Sequence, residues 1–114
     1  VEGVGGWRVP VSETLQTSDI VNCLQLPVIL VVGLRLGCIN HALLTVEAII
    51  KDGFTLSSWV ANRIDREYRN EQETIDYLKA NIPAPLIGTV PYMEISDPGL
   101  VSASLNLAPL LTMM

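Results

Sequence analysis

The stretch PVILVVG, residues 27–33, constrains this chain more than any other. It is a continuous apolar run rich in β-branched residues, bounded by Pro27 and Gly33, which is the pattern of a strand buried on both faces. After a loop, Leu34 to Gly37, a helix is predicted from Cys38 to Lys51. Its residues Ile39, Leu43, Val46, Ile49 and Ile50 return at helical spacing to one side, and Gly53 follows as a left-handed cap. FTLSSWVANRI, residues 54–64, is the next strand, less uniformly apolar and polar at its end. A strand, a helix and a strand at this spacing make a βαβ unit, and such crossovers run the strands parallel.

The same alternation continues downstream. Residues 67–81 read as a charged amphipathic helix with Tyr68, Ile75 and Leu78 inward, ended by Pro83 and Pro85, and PLIGTVP supplies another short strand. Upstream, TSDIVNCLQL suggests a short helix with Thr17 or Ser18 as N-cap and Asp19 in its first turn. Val1-Glu2 reads as the end of a strand, with a glycine loop directly after it, and Pro10 to Gln16 as a turn. Asp97-Pro98-Gly99 reads as a turn before the apolar LNLAPLL. The fold class expected is α/β, a parallel sheet with flanking helices. Ligands of such sheets bind where strands deliver their C-terminal ends. That rule selects VEGVGG, VGLRLGCIN, WVANRID and TVPYM.

Composition narrows the partners. With 49% hydrophobic and 17% charged residues over 114 positions, one domain with a substantial core is expected. A net charge of −5 with only 7 Lys and Arg disfavours nucleic acid, whose phosphates demand clustered cations. Cys23 and Cys38 show neither a CxxC spacing nor further partners, so a reduced, cytoplasmic setting is expected. The apolar run is too short to span a bilayer, and no membrane partner is expected.

VEGVGG, PVSETLQTSD, LPVILVVGLRLGCINHALLT, WVANRID and IPAPLIGTVPYM, in this order, closely resemble the dethiobiotin synthetase family. The likeness runs from Val1 to about Met93, and NLAPLL resembles the family's closing helix. VVGLRLGCINHALLT is the most specific block, because the fold does not demand its order of Gly, Cys, Asn and His. The resemblance implies a P-loop NTPase-like fold of which this chain is the C-terminal portion. It also implies closure of a ureido ring from 7,8-diaminononanoate, CO2 and ATP, through a carbamate and its phosphorylated anhydride, with Mg2+ on the phosphates and a homodimer as the working unit.

The resemblance implies site residues as well. Glu2 would be the magnesium-linked carboxylate, and Gly3, Val4 and Gly5 the nucleotide-contacting loop, whose backbone N–H groups approach phosphate only where no Cβ intervenes. Asn62 would face the adenine edge, since a carboxamide both donates and accepts, and Arg63 follows it where some homologues carry an acidic residue. Pro91, Tyr92 and Met93 would line the base. Gly37, Cys38, Ile39 and Asn40 open a helix whose free N–H groups and dipole would receive the substrate carboxylate. Cys38 also reads as a small packing residue, and His41 as structural or surface. No GxxxxGK[ST] occurs, and the P-loop and catalytic lysines of the family belong to its N-terminal half. No catalytic residue is therefore assigned here, and the chain alone is expected to be inactive. A cobyrinate-type amide ligase and a ParA/MinD-type ATPase switch are the competing readings. The first should not carry LGCINHALLT, and the second needs a basic or membrane-binding surface that LNLAPLLTMM does not offer.

Overall fold

A computed structural model describes residues 1–3 and 5–112. The strands are β1 (Val28–Leu34), β2 (Leu56–Arg63) and β3 (Leu86–Val90), all parallel and in the order β1-β2-β3. Between them run α2 (Cys38–Lys51) and α3 (Glu71–Asn81). Helix α1 (Thr17–Leu24) precedes the sheet, and α4 (Pro98–Ala103) and α5 (Ala108–Leu111) follow it. No helix among the described residues is long and apolar enough to cross a membrane.

Side chains alternate across a pleated strand, so β2 serves two cores at once. Trp59 and Ala61 join Leu30, Val32 and Leu34 of β1 under α2 and α3, where Cys38, Ala42, Val46, Ile75 and Leu78 complete the packing. Val60 points to the other face and meets Ile87, Val90, Met93, Val101, Leu105 and Leu110. The C-terminal segment thus covers the second face over β2 and β3 but not over β1. There Ile29 and Val31 remain 45% and 60% exposed. The expectation that β1 is buried on both faces is corrected: its apolar run is continuous, but only one face meets helices.

Three local boundaries also differ from expectation. Helix α3 begins at Glu71, because Asp65 closes a turn first: its Oδ1 accepts from Glu67 N at 2.9 Å and its carbonyl from Tyr68 N at 3.3 Å. Asp97 does not close a turn but starts a helix. Its Oδ1 accepts from the N–H groups of Gly99 and Leu100, with Pro98 in the first helical turn. The N-cap of α1 is Gln16, one residue earlier than expected: its N–H donates to Asp19 Oδ2 at 2.7 Å, and the Asp19 N–H donates to the Gln16 carbonyl at 2.9 Å.

The C-terminal segment reaches the sheet through Gly88. An isolated antiparallel bridge joins Gly88 to Leu105, and Asn106 N donates to Ile87 O at 2.7 Å. A Cβ on Gly88 would stand 2.2 Å from the Ser104 carbonyl oxygen, so only glycine permits this approach.

The N-terminal segment is fastened elsewhere. Trp7 packs edge-on against Phe54, and its Nε1 donates to Asp52 at 2.8 Å. Arg8 grips the same carboxylate with both guanidinium Nη atoms, at 2.7 and 2.9 Å. Asp52 caps the C-terminal end of α2, the end remote from Gly37.

Two outcomes test this packing. Gly88→Ala should destabilise the chain by about 1–3 kcal/mol, since rigid backbone must move. Gly33→Ala should cost less, because its new methyl meets the movable Cδ1 of Ile64. Denaturant unfolding of both variants gives the order. Arg8 first, and Trp7 second, hold the Asp52 carboxyl below the usual carboxylate range. A depressed folded pKa stabilises the fold above the ordinary aspartate pKa, near ~4, and that share fades as pH falls through the folded value. Asp52→Asn should therefore lower the Tm at pH 7, and the gap from the parent should close on acidification below about pH 4.

Candidate functional site

The parallel register gathers the C-terminal strand ends at one rim. Gly33 pairs with Asn62 and Asn62 with Val90, so the three sit in a single row across the sheet. Asn62 is half-buried on the face that carries Val60. The row opens into a cleft of about 580 Å³ lined by Asn62, Arg63, Pro91, Tyr92 and Met93. All the residues expected on the adenine side therefore share one cavity, whose volume falls within the usual small-ligand range of roughly 300–1,000 Å³.

The electrostatics of the cleft are those of paired charges. Arg63 Nε faces Glu71 Oε2 in the first turn of α3. Arg66 Nη1 donates to Glu94 Oε1 at 2.7 Å, and the Arg66 guanidinium lies over the Tyr92 ring, 5.5 Å from its centroid. Asn62 thus stands between apolar walls with neutralised pairs beside it, an arrangement better suited to a polar ring edge than to a bare anion.

Gly37 opens α2 at the same strand-end side of the sheet, with φ of 89°, and offers no side-chain cap to the N–H groups behind it. A residue with a Cβ would be strained at that angle. The first turn divides its side chains: Cys38 is buried in the core, Ile39 half-buried, Asn40 and His41 exposed. Cys38 is confirmed as a packing residue. Leu36, just before the turn, is 92% exposed.

The N-terminal loop is not in this assembly. Glu2, Gly3 and Gly5 are exposed and lie outside the lining of the cleft, and Gly3 has the Thr17 methyl as its nearest side-chain neighbour. Val4 lies outside the described residues. Residues 1–3 belong to no strand, contrary to the reading of Val1-Glu2 as a strand end. The segment instead leads into Trp7 and Arg8, which are drawn to Asp52 at the far end of α2. That helix alone spans ~21 Å. Among the described residues no group of three or more His, Cys, Asp or Glu side chains is placed to hold a metal.

Other lining residues were not foreseen. Val31, Ile64, Ser96, Val101 and Leu105, with Val60 and Val90 of the sheet, complete the walls. Ser96, Val101 and Leu105 come from the segment after Met93, and the signal for that segment was local: Asp97-Pro98 is a helix start, and a helix there can fold back over β3.

Comparison with known proteins agrees with the fold. The chain matches the family described as AAA domain over residues 1–99. It is 55% identical over 107 residues to the ATP-dependent dethiobiotin synthetase BioD of Aromatoleum aromaticum, covering 94% of this chain and 48% of that protein. The proteins of the same name from Pseudomonas aeruginosa and Cellvibrio japonicus are each 51% identical. They cover 96% and 97% of this chain, and 48% and 49% of their own lengths. The chain thus spans about half the length of the curated relatives it matches, aligning with their C-terminal half. With a parallel α/β sheet, strand ends converging on one cleft, and a family match over most of its length, this chain belongs to the AAA domain family of P-loop NTPase-like folds and is homologous to the C-terminal half of ATP-dependent dethiobiotin synthetases.

Proposed function

We propose that the chain forms the base-binding and substrate-carboxylate portion of a dethiobiotin synthetase. The reaction joins 7,8-diaminononanoate and CO2 as a carbamate. ATP phosphorylates the carbamate, and the neighbouring amine closes the ureido ring as phosphate leaves. The observation that carries this reading is the convergence of Asn62 with Pro91, Tyr92 and Met93 on one cleft at the strand ends, in a chain whose relatives bear that name.

In this reading the adenine of ATP enters the cleft. The Asn62 carboxamide satisfies both a donor and an acceptor on the purine edge, and Tyr92 and Met93 give it an apolar wall. Arg63, paired with Glu71, fixes the end of β2 beside Asn62. The N–H groups of Ile39 and Asn40 behind Gly37 take the carboxylate of the diamine acid, where the helix dipole favours negative charge; that of Cys38, also expected there, already donates to the Arg35 carbonyl at 3.1 Å. A homodimer, as the resemblance implies, would present that helix start to a neighbouring subunit's site.

ATP chemistry brings Mg2+, and Glu2 is the carboxylate nominated for it. Among the described residues no group of three or more His, Cys, Asp or Glu forms around Glu2. The sequence holds no GxxxxGK[ST], and phosphoryl transfer depends on such cations for charge stabilisation. The 114 residues alone therefore bind without catalysing, in the reducing cytoplasm where biosynthetic ligases work. The LGCINHALLT block favours this reading over an amide ligase or an ATPase switch.

The test is kinetic, on the intact gene product. Asn62→Ala should raise KM for ATP about 5–30-fold, the loss of one or two buried hydrogen bonds, and leave KM for 7,8-diaminononanoate nearly unchanged. Gly37→Ala should show the opposite split. Equal effects of both variants on both substrates, or unaltered ATP dependence in Asn62→Ala, would overturn the assignment.

A further inference from the structure

We infer that Arg66 and Glu94 form a strap that positions Tyr92 as the aromatic wall of the cleft. The inference rests on the proposed nucleotide reading for what the cleft holds, but the strap itself is a feature of this chain. Arg66 belongs to the loop between β2 and α3, Glu94 to the loop after β3, and these loops flank the cleft on either side of Asn62. Their ion pair, at 2.7 Å, links the two loops directly. The same guanidinium lies over the Tyr92 ring at 5.5 Å, so one cation engages both the carboxylate and the aromatic face.

Tyr92 has little else to fix it. It is 39% exposed, and only Pro91 separates it from Val90, the last residue of β3. Met93, beside it, is anchored in the core formed with Val60 and Val90. A half-exposed aromatic ring on a strand-end loop samples several rotamers unless a neighbour holds it. Ordering it before a ligand arrives removes that entropic cost from binding. Arg66 is thus a positioning residue for Tyr92. It acts on affinity by pre-organisation and does not itself contact the nucleotide.

Neutral and charged probes separate this role from simple attraction of phosphate. On the intact gene product, Arg66→Ala and Glu94→Gln should each weaken binding of adenosine and of ATP by the same factor, between about two- and ten-fold. Arg66→Lys should restore part of the loss. In the unliganded protein, hydrogen exchange at the 92–96 amides should quicken in both variants, while α2 and α3 keep their protection. Glu94→Gln removes a negative charge. If Arg66 served only to attract phosphate, that variant would bind ATP as well as or better than the parent, and adenosine binding would not change. Either result overturns the strap. Unchanged exchange at residues 92–96 in Arg66→Ala overturns it whatever the cleft binds. If the parent binds neither probe but the exchange shifts as described, the strap stands and the nucleotide reading falls.

Discussion

The sheet and the segments packed on its two faces take their places from β2, whose side chains are divided between two buried faces. Trp59 and Ala61 hold α2 and α3 on one side; Val60, with Ile87 and Val90, holds the C-terminal segment on the other. A central parallel strand has both backbone edges paired, so its register fixes both neighbours. That register puts Gly33, Asn62 and Val90 abreast. The position of Asn62 at the rim is therefore a consequence of strand pairing, not of any contact Asn62 makes.

From there the cleft follows with few additional requirements. Parallel strands end together, and the loops that leave them must turn away on the same side. Arg63 at the end of β2 pairs with Glu71, Arg66 in the loop that follows pairs with Glu94, and the loop after β3 carries Pro91 to Met93. Exposed ion pairs of this kind contribute little to stability, commonly below ~1 kcal/mol. Their effect here is on where loops rest. The bulk of the fold's cohesion lies in the buried apolar groups of the two cores.

The elements that packing alone defines were legible in the residues. The β1, α2, β2 and β3 spans follow from apolar periodicity and from Pro and Gly boundaries, and the adenine-side residues fall where strand ends were read. Other features depended on neighbours far away in sequence. Ile29 and Val31 carry the same β-branched signature as Val32, yet among the described residues the helices on their face cover β2 and β3 and leave β1 open. Glu67 and Tyr68 look helical by composition, yet their N–H groups are taken up in a turn by the Asp65 carboxylate and the Asp65 carbonyl respectively. Glu2 was read at the rim because it precedes a glycine loop, but the Trp7 and Arg8 contacts with Phe54 and Asp52 draw that segment toward the other end of α2.

Sequence by itself determined the parallel α/β order, the core strands and helices apart from the start of α3, and the family, because periodicity and motif order are local properties of the chain. Tertiary structure alone decided which face of β1 is covered, that the segment after Met93 folds back through Gly88 to wall the cleft, and that Arg66 reaches Tyr92 and Glu94 together. Those outcomes turn on close approach between residues distant in the chain, and no local pattern encodes a distance between two loops.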